Sequence, residues 1–401
     1  MIVIGDYIYD EYLFGTCKRM SPEAPVPVIE NYKSVIKAGG AANVVANLKA
    51  FGKNLKFIQN PDQRTVKRRI FADNHLVCRI DEEQYIPFHI EFDFSLSEHK
   101  TAILSDYNKG VIDEPQYIIN KLNNNDIDVF VDPKKEFRRY AHSFLIKANK
   151  QEFEKEIGTE YSDSTAANHC RELCNQYNFC AIVITLGGNG CYVYDHLLHK
   201  GIRIHSENKT VLDVTGAGDV FMAALAHYYE LEYPIVDAAY LANELAGISV
   251  GHIGTYVLTE DDILSVEKKN RTEIVVFTNG CFDILHPGHI HLLKESKKLG
   301  DRLIVGLNSD HSIRKLKGAD RPILKQDQRK KMLEALDIAD EVIIFETETP
   351  RDLINKIRPD IITKGGDYVP ETVVGHDLAK VVIIPTLENY STTGVINAIK
   401  R

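Results

Sequence analysis

The sequence predicts an α/β protein made of two units in tandem, each built around a largely parallel sheet. Three observations carry this. Short apolar, strand-like runs alternate with segments of helical character along the chain. A polar stretch, Glu267-Lys-Lys-Asn-Arg-Thr-Glu273, interrupts that alternation, which then restarts. The chain's 401 residues are enough for two domains with separate cores. The expected division is 1–266, a linker at 267–272, and 273–401.

In the first unit, strands are expected at Met1–Ile4, Thr101–Leu104, Asp128–Val131, Phe144–Ala148 and Ala181–Thr185. The opening MIVIGDYIYDEY carries acids where a secretory signal carries basic residues, so it reads as a buried first strand. Pro22, Pro25 and Pro27 interrupt a Val- and Ile-rich extended stretch, which suits a small edge sheet or flap. Val220–Tyr229 is apolar enough for a buried helix.

In the second unit, Ile274–Thr278 is a strand, and 287–299 a helix with Pro287 in its first turn and Gly300 just beyond it. Strands at Leu303–Leu307, Glu341–Phe345, Asp360–Thr363 and Val381–Pro385 alternate with helices at Gln326–Leu336, Arg351–Ile357 and Thr393–Lys400. This is the pattern of a doubly wound, Rossmann-like mononucleotide-binding domain.

Composition narrows the class. The hydrophobic fraction is 44% and the charged fraction 26%, ordinary for a soluble globular chain. A net charge of −9 argues against nucleic acid as the main partner, while leaving room for polyphosphates held by local dipoles and a few cations. No apolar run approaches the ~18 residues that span a bilayer, so no membrane partner is expected. The seven cysteines include no CxxC. The one cluster, His169, Cys170, Cys174 and Cys180, reads as thiols lining a helix and a strand, not as a metal site. A reduced, cytoplasmic protein is expected.

The first candidate site is Asp213-Val-Thr-Gly-Ala-Gly-Asp219. Gly216, Ala217 and Gly218 have almost no side chain and precede an apolar helix, so their N–H groups and the helix dipole form an anion hole. Asp219 at its mouth suits a base that takes a proton from a hydroxyl as it attacks a γ-phosphate. A Gly-rich turn with an Asp cap is the plainer reading of that run alone. Gly39-Gly40-Ala-Ala-Asn43 lets the backbone approach a ligand, and Asn43 offers an amide to hydroxyls. Asn149 and Glu152 follow a strand and suit a hydrated Mg²⁺ held through water. No GxxxxGK[ST] occurs, which excludes a P-loop kinase.

With Gly5-Asp6, Asp10 and the motifs just described, residues 1–266 resemble the ribokinase-like (PfkB) sugar kinases. Arg19-Met-Ser-Pro-Glu-Ala-Pro-Val-Pro-Val28, Ser105-Asp-Tyr-Asn-Lys-Gly110 and Asp132-Pro-Lys134 bring the resemblance closer to the heptose kinase branch. It implies a ribokinase-like fold with a small β lid over the sugar, formed near residues 12–36. It also implies that Asp219 is the base, Gly216–Gly218 the anion hole, and Asp10, Gly39, Gly40 and Asn43 the sugar side, with Asn149 and Glu152 in the Mg²⁺ motif. Between Phe57 and Arg69 the chain is shorter than the family pattern, which carries another helix and strands there, and Lys-Ala-Asn149 replaces the usual Pro before Asn.

The second candidate site is His286-Pro-Gly-His289, between a strand and a helix at the carboxyl edge of the sheet, where open α/β folds bind ligands. Two imidazoles a turn apart can each donate to a phosphate, and Gly288 lets it approach the helix start. In-line attack on a nucleotide α-phosphate, with pyrophosphate leaving, fits such a site. Residues 273–401 resemble the cytidylyltransferase-like nucleotidyltransferases through Thr278-Asn-Gly-Cys-Phe-Asp283, His286–His289, Asn308-Ser-Asp310, Leu316-Lys-Gly318, Arg321-Pro322, Lys364-Gly-Gly-Asp-Tyr368 and Ser391-Thr-Thr393. The resemblance implies that His286 and His289 stabilise the transition state. Asn279, Gly280, Phe282, Gly288, Lys317, Arg321, Ser391, Thr392 and Thr393 are then the nucleotide and phosphate side, and Lys364 and Asp367 the sugar phosphate side. Here the stretch Thr372–Lys380 is short for the family.

The order of the two units is that of the bifunctional heptose-7-phosphate kinase/heptose-1-phosphate adenylyltransferases, transferases that make ADP-heptose for the lipopolysaccharide inner core. That resemblance implies Mg²⁺, ATP and a sugar phosphate as cofactor and substrates, and a homodimer or higher homo-oligomer. Two alternatives stay open at this point. One is a nucleotidyltransferase whose kinase-like half is a scaffold or sugar-binding module. The other is an enzyme for another sugar or polyol phosphate, using CTP.

Overall fold

The structure is a computed structural model and describes residues 1–385, apart from Asn74, Asp93, residues 207–210, Thr272, Ala319 and Asp367. Two compact units, Met1–Glu267 and Lys268–Arg401, divide the chain. A helix over Glu260–Asn270 carries the division within it, so the linker expected at 267–272 begins as helix.

In the first unit, an eight-stranded sheet runs in the order Lys200–Ile204, Cys191–Asp195, Ala181–Thr185, Leu145–Asn149, Asp128–Asp132, Thr101–Ser105, Ile2–Gly5, Lys56–Ile58 among the described residues. All neighbours are parallel except the two pairs at the Lys200 end. The opening Ile2-Val3-Ile4 shows why the central strands read as unbroken apolar runs. Successive side chains point to opposite faces, and both faces are covered. Val3 belongs to the core layer that includes side chains of helices Ala41–Ala50, Ala217–Glu230 and Ile235–Ser249. Ile2 and Ile4 belong to the core layer on the other face, which includes side chains of helices Pro115–Asn123 and Asp163–Tyr177. Each such side chain contributes about 1.5–3 kcal/mol on burial. Cys170 and Cys174 lie in that second core layer, Cys180 is half-buried, and all seven cysteines are free thiols.

The lid is larger than the stretch near 12–36 that was expected. It is a four-stranded sheet ordered Pro27–Gly40, Tyr7–Met20, Thr65–Ala72, His75–Glu82. Pro27 is tolerated as the first residue of its strand. Residues 59–64 pass directly from strand Lys56–Ile58 to lid strand Thr65–Ala72. Asn60 and Gln63 are buried in this short connection. Asn60 caps it by accepting from the Asp62 N–H at 3.0 Å, and Gln63 donates to the Gln84 carbonyl at 3.2 Å and to that of Lys109.

The second unit is a five-stranded, wholly parallel sheet ordered Glu341–Phe345, Arg302–Asn308, Val275–Gly280, Ile361–Gly365, Lys380–Ile384 among the described residues. The strand order reverses beside Val275–Gly280, so the carboxyl end of that strand opens on the crevice where such folds bind ligands. An unexpected helix, Asp310–Lys317, starts at Ser309, whose side chain accepts from the Ser312 N–H. The helix expected at Thr393–Lys400 lies outside the described residues.

Candidate active sites

The first site forms where Ala217–Glu230 begins. Gly216 precedes it at φ 79°, a left-handed conformation that glycine adopts without strain. A Cβ there would stand 2.6 Å from the Asn43 amide nitrogen. Asp213 shapes the turn. Its carboxylate accepts from the Thr215 N–H and hydroxyl and, across the loop, from the Gly254 N–H at 2.8 Å. Burial works against ionisation of Asp213, but these bonds outweigh it and lower its pKa. Ala217 and Gly218 occupy the first turn, where N–H groups lack intrahelical acceptors, and the Ala217 N–H meets the Val214 carbonyl of the loop at 3.3 Å.

Asp219 is 2% exposed and both of its oxygens are held. Asn43 donates to one at 3.0 Å and the Tyr107 hydroxyl to the other at 2.8 Å. Burial pushes its pKa up to about 6, and the two donors restrain the rise. Asn43 therefore departs from the role expected of it. Its amide nitrogen is committed to Asp219 and its oxygen accepts from Asn47 at 3.2 Å, so the side chain aims the carboxylate and does not stand free for a hydroxyl. Asp6 fixes Tyr107 from behind. Buried, it accepts from the N–H groups of Tyr107, Lys109 and Val111, at 3.0, 3.0 and 3.2 Å.

Asp10 lies on the lid strand above, ion-paired with Arg69. Gly39 approaches it so closely that a Cβ would meet the Asp10 carboxylate at 2.0 Å, and Gly40 (φ 61°) starts helix Ala41–Ala50. Lys147 is buried against the anion hole. It pairs with Asp132, and a Cβ on Gly218 would lie 3.0 Å from its Nζ.

Asn149 and Glu152 are brought together, but as a capping box. Asn149 accepts from the Glu152 N–H at 2.9 Å, one Glu152 oxygen accepts from the Asn149 N–H at 3.0 Å, and the other pairs with Lys134 at 3.2 Å. Each of these oxygens keeps a lone pair beside the bond it accepts, so the cap is compatible with the contact through water to a hydrated Mg²⁺ expected of the pair. Among the described residues no group of three or more His, Cys, Asp and Glu can hold a metal.

The second site stands at the end of strand Val275–Gly280. His286 precedes helix Pro287–Lys297 in extended conformation, and Gly288 and His289 lie in its first turn. The two imidazoles stack with centres 3.8 Å apart, and Phe282 stands 5.0 Å from the His289 ring. Burial holds the His289 pKa down at about 4, helped by His286 and by Lys317, and burial lowers that of His286. Both rings are neutral near pH 7 and can each donate one N–H. Phe282, at φ 45°, packs under Gly280. Lys364 donates to the Asn279 side chain at 2.8 Å, and burial lowers its pKa.

Lys317 ends helix Asp310–Lys317, exposed. Arg321, expected on the nucleotide and phosphate side, is paired with buried Asp283 at 3.0 Å. Ser391, Thr392, Thr393 and Asp367 lie outside the described residues.

Sequence reasoning gave no role to Tyr107, Lys147, Arg69 or Arg329. A lysine inside the apolar run Phe144–Ala148 was the available sign of Lys147. Arg329 is fully buried and ties the site's loops together by donating to the carbonyls of Cys281, Asn308 and Leu324 and to Asp310. Nothing in the spacing of its helix marks it.

Residues 109–262 match the model of the pfkB family carbohydrate kinases, and residues 277–396 match the cytidylyltransferase-like model. Over 464 aligned positions the chain is 36% identical to the bifunctional protein HldE of Nitratiruptor sp., covering 100% of this chain and 99% of that protein. It is 37% identical to the HldE of Wolinella succinogenes, covering 100% and 98%. The chain belongs to the HldE family of bifunctional proteins. Like them it is an enzyme with a carbohydrate kinase domain followed by a nucleotidyltransferase domain.

The alignment with the Nitratiruptor HldE is longer than this chain's 401 residues, so that relative carries sequence which is lacking here. Among solved structures, ribokinase from Thermotoga maritima matches with a TM-score of 0.53 at 15% identity, over 67% of this chain and 98% of that one. Phosphofructokinase-2 from Escherichia coli matches equally well at 13% identity. These show the ribokinase-like fold of the kinase half.

Proposed function

We propose that this HldE-family enzyme phosphorylates D-glycero-β-D-manno-heptose 7-phosphate at C1 with ATP, and transfers AMP from ATP to heptose 1-phosphate with release of pyrophosphate. The observation that carries the kinase half is Asp219, a buried carboxylate aimed by two neutral donors at the mouth of a helix-start anion hole. In this reading the carboxylate takes the proton of the C1 hydroxyl. The hydroxyl oxygen bonds to the γ-phosphorus, the bond to the β,γ-bridging oxygen breaks, and ADP leaves. Gly216–Gly218 and Lys147 face the charge that builds on the transferring group.

PfkB kinases use Mg–ATP, and a Mg²⁺ held by the nucleotide's own oxygens would shield their charge. In the second half a phosphate oxygen of the sugar 1-phosphate attacks the α-phosphorus and pyrophosphate departs. His286 and His289 donate to the crowded oxygens. Lys364 sits on the sugar phosphate side, with Lys317 toward the triphosphate. Residence in the cytoplasm and assembly as a homo-oligomer belong to the same proposal. Among the described residues no helix is long and apolar enough to cross a membrane.

Phosphorus NMR of the purified protein tests both halves. With Mg²⁺, ATP and heptose 7-phosphate, a bisphosphate signal is expected. With heptose 1-phosphate, pyrophosphate and a sugar nucleotide are expected. Pyrophosphate without bisphosphate would mean that the kinase half is a scaffold. Turnover of CTP in preference to ATP would overturn the nucleotide assignment.

A further inference from the structure

The lid face toward Asp219 carries more cations than its acids neutralise. Strand Thr65–Ala72 pairs with Tyr7–Met20 on one side and His75–Glu82 on the other. This sets Lys37, Asp10, Lys67 and Asp81 in one cross-strand row. Two residues along, on the same face, the next row holds Tyr12, Arg69 and Arg79.

Most of these charges are accounted for. Arg69 is paired with Asp10 and Arg79 with Asp81. Lys37 gives its ammonium to the carbonyls of Ile253 and Thr255 at 3.0 and 3.1 Å. Lys67 is left over. Among the described residues no carboxylate stands within ion-pair distance of it. Its Nζ lies 5.5 Å from the centre of the Tyr107 ring, whose hydroxyl is bonded to Asp219. The side chain is half-buried, and that burial, with Arg79 nearby, lowers its pKa. Asp10, Asp81 and Glu83 act on this ammonium from a distance, but the two in its own row are already paired with Arg69 and Arg79. An ammonium taken partly out of water with no direct ion pair is costly, and an incoming anion relieves that cost.

We infer that Lys67 docks the phosphate which the kinase's sugar substrate already carries, so that the lid selects a phosphorylated sugar over a neutral one. This rests on the kinase reading above. The geometry gives the substrate two ends. Asp219 receives the proton of the hydroxyl to be phosphorylated. One tyrosine side chain further on, Lys67 meets the opposite end of the sugar, with the Tyr107 ring between them. The phosphates of the nucleotide are served by other groups, the helix start and Lys147 beside Gly218. The cation therefore contributes to binding in ground state and transition state alike, and its effect falls on KM and not on kcat.

The test is steady-state kinase kinetics of the full chain and its Lys67→Met and Lys67→Arg variants. ATP and heptose 7-phosphate are varied separately, and unfolding is followed by circular dichroism. Loss of a charge-assisted hydrogen bond predicts a KM for heptose 7-phosphate raised about 10- to 100-fold in Lys67→Met. The kcat and the KM for ATP should stay near wild type, and Lys67→Arg should recover most of the loss. A fall in kcat at unchanged KM would place Lys67 on the transferring phosphoryl group and overturn the inference. So would an unchanged KM, or loss of the unfolding transition in Lys67→Met, which would make the lysine a structural cation. If the wild-type chain itself fails to phosphorylate heptose 7-phosphate, it is the kinase reading that fails.

Discussion

Replacing Tyr107 with Phe removes one hydroxyl from behind the base and leaves the ring in place. That hydroxyl donates to Asp219 at 2.8 Å, inside a pocket where the carboxylate is almost fully buried. A hydrogen bond to a charged group is worth about 1.5–3 kcal/mol, which corresponds to about 1–2 pKa units. The bond favours the ionised form, so its loss raises the pKa further, from about 6 toward about 7 or 8. The base must be ionised to accept a proton. At pH 7 the ionised fraction then drops from about nine-tenths to between a half and a tenth, a loss of about 2- to 10-fold in kcat/KM.

The assay is the pH dependence of kinase kcat/KM for the sugar phosphate, compared between wild type and Tyr107→Phe. The acid limb should move upward by 1–2 units and the two profiles should converge at alkaline pH, to within an order of magnitude. An acid limb that stays in place refutes the assignment, even if activity falls, because a pH-independent fall means that Tyr107 only shapes the loop. Nucleotidyl transfer should not change.

Asp219→Asn should abolish phosphoryl transfer while adenylyl transfer persists, and His289→Ala should do the reverse. Separate assays of ADP and pyrophosphate release check both, and joint loss would refute independent sites. The His289 pKa, held at about 4 against its usual 6.5, makes the folded form bind fewer protons than the unfolded form between those values. Stability from this source is therefore present above 6.5 and lost as pH falls toward 4. Binding of a triphosphate at the ring should take up protons in that interval, and calorimetric heats of ATP binding that do not depend on the buffer would count against it. Arg329→Met leaves half-buried Asp310 and three carbonyls without the donor that the fully buried guanidinium supplies, and should cost about 3–5 kcal/mol. The chain has no tryptophan, so circular dichroism or tyrosine emission in urea is the measurement, and a loss under 1 kcal/mol (about the worth of one neutral hydrogen bond) would refute it.

Much of both the fold and the sites is legible in the sequence wherever the cause is local. Parallel strands covered on both faces appear as apolar runs such as Ile2-Val3-Ile4. A helix start appears as Gly216-Ala-Gly218 or Pro287-Gly288. What sequence reasoning missed depends on contacts between distant segments. Tyr107 reaches Asp219 only because Asp6 gathers the N–H groups of the 107–111 loop. Asn43 was visible as a polar side chain near the glycines, but its commitment to Asp219 follows from packing across 176 positions of chain. Asn149 and Glu152 were visible as a motif, and their spacing is also that of a capping box, which is the use the structure makes of them.

The sequence by itself determined the two α/β units, the lid prolines, the anion-hole loop with Asp219 and the His286–His289 pair. Each of these is written in neighbouring residues, through side-chain period, backbone freedom or turn chemistry. Tertiary structure alone decided which charges are spent and which remain. Arg321 is consumed by Asp283, Arg69 by Asp10 and Arg79 by Asp81. Lys67 is left over because the lid's strand register places it in a row whose acids are already paired, and register is a property of strands meeting, not of either strand alone.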